Sequence, residues 1–126
     1  HQYGIMSAPT LAQAAGVEAM DFGDKDVSRM RREYRKRRDF LFDALSRLGL
    51  KTFLPQGAFY IFPDIRSTGM NSEEFAVRLL NEHGVACVPG TAFGKCGEGF
   101  VRMSYATGLE KIAQAAERIT AMLKQA

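Results

Sequence analysis

Arg102 is the residue with the greatest chemical reach in this chain. It stands between apolar neighbours in Phe100-Val101-Arg102-Met103-Ser104-Tyr105, a run that reads as a strand. Alternation along that strand puts Arg102 on the face of Phe100 and Ser104, opposite Val101 and Met103. A guanidinium carried on a rigid strand suits bidentate binding of a carboxylate or a phosphate. A second reading stands beside it on spacing alone: an edge-strand arginine that faces water or pairs with a structural aspartate. The loop before the strand holds Pro89-Gly90 and Gly94, Gly97 and Gly99, residues that permit close backbone approach.

Other chemistry is scarce. The three loop glycines do not have phosphate-loop spacing, a strand follows them in place of a helix, and Cys96 follows Lys95 where Ser or Thr belongs. The basic run Arg29 to Arg38 spreads around a helix, is interrupted by Glu33 and lacks interleaved aromatics, so it reads as a solvated helix surface with no nucleic-acid partner. No nucleophile elbow is present. Cys87 and Cys96 form no CxxC pair and lie far in sequence from His1 and His83, which argues against a metal site and for free thiols in a reducing, cytoplasmic setting.

The elements that must position Arg102 follow from the pattern. At 126 residues with a net charge of +3 and 46% hydrophobic residues, the chain has the composition of an ordinary globular domain, and no apolar run reaches membrane-span length. Ser7-Ala8-Pro9-Thr10 is a helix-start signal, with a hydroxyl cap followed by Pro. A first helix is expected over Leu11–Phe22 and a second from about Lys25 to Leu48, with Val27, Met30, Tyr34, Leu41, Leu45 and Leu48 on one stripe. Arg38 falls inside that stripe and must snorkel or find a carboxylate.

Four strands are expected: Lys51–Leu54, Ala58–Phe62, Val85–Val88 and Phe100–Tyr105. A helix capped by Asn71 or Ser72 covers Glu73–His83 and buries Phe75, Leu79 and Leu80. A last helix from Leu109 buries Ile112, Ala116, Ile119 and Leu123. The predicted order α-α-β-β-α-β-β-α describes an α+β (α/β layered) domain, a small sheet covered by helices. The opening His1-Gln2-Tyr3-Gly4-Ile5-Met6 is apolar and β-prone, unlike a loose terminus, so further sequence is expected before it.

Three blocks together resemble a known family: Pro55-Gln56-Gly57-Ala58-Phe59-Tyr60-Ile61-Phe62-Pro63, Val88-Pro89-Gly90-Thr91-Ala92-Phe93-Gly94 and Val101-Arg102-Met103-Ser104-Tyr105-Ala106. They are similar to the C-terminal portion of class I/II pyridoxal-phosphate-dependent aminotransferases, the fold-type-I, aspartate-aminotransferase-like enzymes. The resemblance implies that Arg102 clamps the substrate carboxylate, with Pro89, Gly90 and Phe93 in the loop that approaches the substrate. It implies that the sheet is mainly antiparallel and that Phe59 and Tyr60 pack it. Residues 1–23 would be the tail of the large cofactor domain, 24–48 the connecting helix with Tyr34, Arg37, Arg38 and Asp39, and 49–126 the small C-terminal domain.

In that family the cofactor, pyridoxal 5'-phosphate, is carried by a lysine in a Ser-x-x-Lys setting. None of Lys25, Lys36, Lys51, Lys95, Lys111 or Lys124 has that context, so the chain is expected to hold no catalytic or cofactor-binding residue and to be inactive alone. The intact enzyme would be a homodimer acting on an amino acid and a 2-oxo acid, with no nucleic acid, membrane or metal. Two rival readings are a related pyridoxal-phosphate lyase or synthase, and a stand-alone carboxylate-binding module.

Overall fold

The computed structural model describes Gly4 and residues 6–125. The β-prone stretch expected at the start falls largely outside them. The chain divides within a long helix into two units, His1–Glu33 and Tyr34–Ala126.

Helix α1 (Thr10–Phe22) lies in the first unit and buries no residue. Its N-cap position is Pro9, with no side-chain hydrogen bond, so the hydroxyl cap expected from Ser7 does not form. Gly23 alone separates α1 from α2 (Asp24–Arg47), whose first turn carries Asp24 and Asp26, the sign favoured at a helix N-terminus. The expected stripe of α2 is only partly buried. Val27 and Met30 are exposed, whereas Leu41 and Leu45 in the second unit enter its core.

The second unit contains a three-stranded sheet in the order β1-β3-β2. Strand β1 (Tyr60–Ile61) and strand β2 (Val88–Pro89) both run antiparallel to β3 (Val101–Ser104). Tyr60 lies opposite Ser104 and Ile61 opposite Met103 on one side; Val88 faces Arg102 and Pro89 faces Val101 on the other. Pro89 thus belongs to an edge strand, where its missing N–H is tolerated. Lys51–Leu54 is not a strand. The Asp64 N–H donates to the Lys51 carbonyl at 2.7 Å, but no ladder develops and Phe53 is left 92% exposed.

Between β1 and β2 lies α3 (Ser72–His83), and α4 (Leu109–Lys124) closes the chain. Asn71 caps α3 in a full capping box with Glu74, satisfying N–H groups that a helix start leaves open. Gly84 ends α3 in the left-handed conformation, φ 63°, where glycine is favoured. Phe75, Ala76 and Leu79 are buried, whereas Leu80 points outward, one position beyond the covered stripe. In α4 the buried set is Ile112, Ala116, Ile119 and Met122, with Leu123 packed at its margin. Phe75, Leu79, Ile112, Ile119 and Met122 meet Ile61, Ile65, Val101, Met103 and Tyr105 in one hydrophobic core.

Candidate carboxylate-binding site

Core packing decides which way β3 faces. Val101, Met103 and Tyr105 are buried, which turns Arg102 and Ser104 to the opposite face of the sheet, as strand alternation predicts. β3 is the central strand, so the edge-strand reading of Arg102 does not hold. Its guanidinium carbon lies 4.3 Å from the centre of the Tyr60 ring and 4.5 Å from that of Phe93. Both distances are well inside cation–π range. The Arg102 side chain makes no hydrogen bond or ion pair with another described residue, so no structural aspartate claims it. A half-buried cation held by ring faces, with its N–H donors uncommitted, can take a planar anion in the guanidinium plane.

The two rings arrive by different routes. Tyr60 is brought by the register of β1, which sets it diagonal to Arg102 on the same sheet face. Phe93 comes from the 3₁₀ turn Gly90–Phe93 and meets Phe62 edge-on, centres 5.7 Å apart at 75°. Phe93 remains 51% exposed. Tyr60 therefore does more than pack the sheet, and its place beside Arg102 depends on a strand register that sequence alone does not show.

The loop carrying Phe93 is tied down twice. The Gly90 N–H donates to the Phe100 carbonyl at 2.8 Å. Gly90 also packs backbone to backbone against Gly97, so that a Cβ on either would overlap the carbonyl of the other. The Glu98 carboxylate then accepts from the Ser72 N–H at 2.9 Å, the Ser72 hydroxyl at 3.0 Å and the Gly99 N–H at 2.8 Å. The N–H groups of Ser72 and Gly99 hold the Glu98 carboxyl below its ordinary range, because they bond the charged form. One side chain thus joins the loop to the first turn of α3. Glu98 carried no signal in the sequence, since its partner lies 26 residues away.

The segment before β1 is fastened as well. Ala58 has φ 57°, a left-handed conformation in a residue that is not glycine, which is uncommon. The Tyr105 hydroxyl donates to the Ala58 carbonyl at 3.1 Å, and the Tyr105 N–H to the Phe59 carbonyl at 2.9 Å. Tyr34 stacks on Phe59 with centres 6.1 Å apart. Arg38 finds the carboxylate expected for it, donating to Asp39 at 2.6 Å and 2.8 Å, and also reaches the Pro55 carbonyl at 3.0 Å. The chain leading into Tyr60 is thereby fastened at Pro55, Ala58 and Phe59.

Among the described residues, no nucleophile is paired with a base by a hydrogen bond beside Arg102. Cys87 and Cys96 are both free. Burial pushes the Cys87 thiol up to about 11, away from the thiolate that would react. Asp64 is held by Arg66, which lowers its carboxyl to about 2. Among the described residues no helix is long and apolar enough to cross a membrane.

Arg102 is thus a cation fixed on the central strand of a small antiparallel sheet, with two aromatic rings as its side-chain contacts. The chain belongs to the aminotransferase class I and II family, whose description matches residues 2–119. A putative aminotransferase of Bacillus subtilis, YugH, is 46% identical over 123 residues, covering 98% of this chain and 32% of that protein. Aromatic-amino-acid aminotransferase 2 of Thermococcus litoralis is 50% identical over 125 residues, again 98% of this chain and 32% of the relative. Among solved structures, the aspartate aminotransferase of Thermus thermophilus with maleate superposes with a TM-score of 0.87 at 41% identity, covering 97% of this chain and 32% of that one. The fold is that of aspartate-aminotransferase-like, fold-type-I enzymes. The chain spans about a third of the length of these relatives, consistent with a C-terminal portion.

Proposed function

We propose that the enzyme containing this chain transfers an amino group between an amino acid and a 2-oxo acid, and that Arg102 binds the carboxylate common to both substrates. The observation that carries this reading is the uncommitted guanidinium of Arg102, fixed on the central strand and held by two rings. Maleate, with which the Thermus thermophilus relative was solved, is a dicarboxylate and supports the same chemistry. Pro89 and Gly90 shape the loop that approaches the substrate, and Phe93 stands at its tip. Residues 1–23 belong to the large cofactor domain, 24–48 connect, and 49–126 form the small domain. The enzyme works as a homodimer in the cytoplasm, a setting in keeping with its two free thiols.

The cofactor of such an enzyme is pyridoxal 5'-phosphate, which accepts the amino group and stores it between half-reactions. The described residues of this chain do not fit that group. Arg102 is surrounded by aromatic rings with no lysine among its contacts, and Asp39, Asp64 and Glu98 are each engaged with partners of their own. The contribution of this chain is to bind and orient: a bidentate grip fixes the carboxylate and therefore the carbon next to it. By itself the chain is inactive.

Steady-state turnover of the intact enzyme tests the proposal. Product formation from an amino acid should require a 2-oxo acid; turnover without one would favour a lyase or a synthase. Arg102→Ala should weaken carboxylate binding by about 3 kcal/mol or more, since an ionised partner is left unpaired. Arg102→Lys should restore only part of it, because the planar fork is lost. An unchanged specificity constant in Arg102→Ala would remove Arg102 from the site.

A further inference from the structure

The contacts of Arg102 carry a conclusion that rests on the carboxylate-binding role proposed above and extends it. We infer that Tyr60 and Phe93 are positioning residues, whose rings hold the Arg102 guanidinium in the one orientation that presents its N–H edge to a carboxylate and thereby set how strongly the site prefers carboxylate-bearing amines.

A long, flexible side chain with five donors ordinarily acquires a fixed orientation through hydrogen bonds. Arg102 has none to the described residues. Its orientation therefore comes from the two ring contacts, at 4.3 Å and 4.5 Å from the guanidinium carbon. A ring that meets the cation through its π face takes space that water or an alternative rotamer would fill and consumes no N–H donor. A hydrogen-bonded carboxylate partner would have fixed the same side chain equally well but would have consumed those donors. Ring contacts hold the cation and keep its binding edge free.

Each ring is held by a structure of its own. Tyr60 sits in β1 next to a segment fastened by Tyr105, Tyr34 and Arg38. Phe93 sits on a turn fixed by the Gly90–Gly97 contact and by Glu98 on Ser72. Two anchored rings, themselves joined through the Phe62–Phe93 contact, converge on one cation, so the orientation of Arg102 is set before substrate arrives. Affinity gained this way comes from lower ordering cost on binding.

The test measures a preference, because a general loss of structure would lower all binding together. In the intact enzyme, half-saturation is measured for two probe pairs, phenylalanine with phenethylamine and aspartate with β-alanine; each second member lacks only the α-carboxylate. The pair for which the parent enzyme shows the larger preference is followed through the variants. Tyr60→Leu and Phe93→Leu should each reduce the carboxylate preference by roughly three- to tenfold, the loss of one cation–ring contact. The affinity for the member that lacks the α-carboxylate should change by less than the affinity for the amino acid in each variant. Tyr60→Phe and Phe93→Tyr keep a ring and should keep the preference.

The outcomes separate carboxylate binding by Arg102 from positioning by the two rings. If Arg102→Ala leaves the preference intact, the carboxylate-binding role itself fails. If Arg102→Ala abolishes the preference while both leucine variants retain it, that role stands and the positioning role of the rings is overturned. Equal loss of affinity for both members of a pair in the leucine variants also overturns it, since the rings would then shape the site as a whole. Failure of Tyr60→Phe and Phe93→Tyr to keep the preference does so too.

Discussion

Gly90→Ala is the perturbation that asks most directly whether the loop holding Phe93 is fixed by backbone contact. Gly90 is buried and its backbone adopts no left-handed conformation, so alanine is excluded by space and not by torsional strain. A Cβ there would overlap the Gly97 carbonyl oxygen and lie 2.6 Å from the Phe100 carbonyl oxygen and 2.8 Å from the Gly97 carbonyl carbon. Every one of these neighbours is backbone, which cannot rotate away as a side-chain tip can. Relief requires the Gly90–Phe93 turn to move off the 95–100 segment, breaking the 2.8 Å hydrogen bond from the Gly90 N–H to the Phe100 carbonyl. Losing that bond costs about 1 kcal/mol and the overpacking a further ~1–3 kcal/mol, so the expected destabilisation is about 2–4 kcal/mol.

Equilibrium urea unfolding of the intact enzyme measures this as a shift in midpoint at constant slope. Gly57→Ala is the control. Gly57 is exposed, has no left-handed backbone, and a Cβ there would meet nothing within 4 Å. That substitution should be neutral or raise stability by ~0.4–1 kcal/mol through a stiffer unfolded chain. Displacement of the turn also carries Phe93 away from Arg102, so Gly90→Ala should raise the half-saturating concentration of amino acid. A Gly90→Ala variant within ~0.5 kcal/mol of its parent, or one as costly as Gly57→Ala, would refute the close-approach argument.

Four other outcomes are expected. Leu45→Ala, which empties a fully buried position of α2, should cost about 2–5 kcal/mol in the same unfolding assay. Asp64 and Glu98 both have carboxyls lowered in the folded state, so each stabilises the fold above its unfolded pKa and ceases to do so as pH falls through its folded one. For Asp64 this window runs from 3.8 down to about 2; Asp64→Asn should be the less stable protein at neutral pH and lose less stability than its parent across that window. Glu98→Gln, which removes the charge that bridges Ser72 and Gly99, should loosen the 90–99 loop, and faster amide exchange at Gly99 than in the parent would register it. At mildly alkaline pH a thiol reagent should label exposed Cys96 long before Cys87, whose thiol burial holds near 11; equal rates would contradict the packing around Cys87.

Much of the scaffold was legible because it rests on local chemistry. Asn71 with Glu74 three residues on is a capping signature, and it caps α3. The apolar spacing in 109–124 gave the buried face of α4, displaced only where Met122 takes the position expected of Leu123. Expectation failed where a partner decides the outcome. Lys51–Leu54 has the composition of a strand, but a strand exists only through a ladder, and a single hydrogen bond to Asp64 does not make one. Val27 and Met30 have helical spacing with Leu41 and Leu45, yet spacing cannot say whether anything covers them, and they are exposed.

The candidate site divides in the same way. Alternation in Phe100–Tyr105 was sufficient to turn Arg102 away from the core, because a strand with Val101, Met103 and Tyr105 buried has only one other face. The glycines of the 90–99 loop announced close backbone approach by their type. The sequence could not show that Arg102 lies on the central strand, that Tyr60 and Phe93 hold it, or that Glu98 binds the loop to Ser72. Those relations join residues 9 to 42 positions apart, and distance along the chain carries no information about them. They follow from the register of β1 on β3 and the path of one loop, which only the packed core determines.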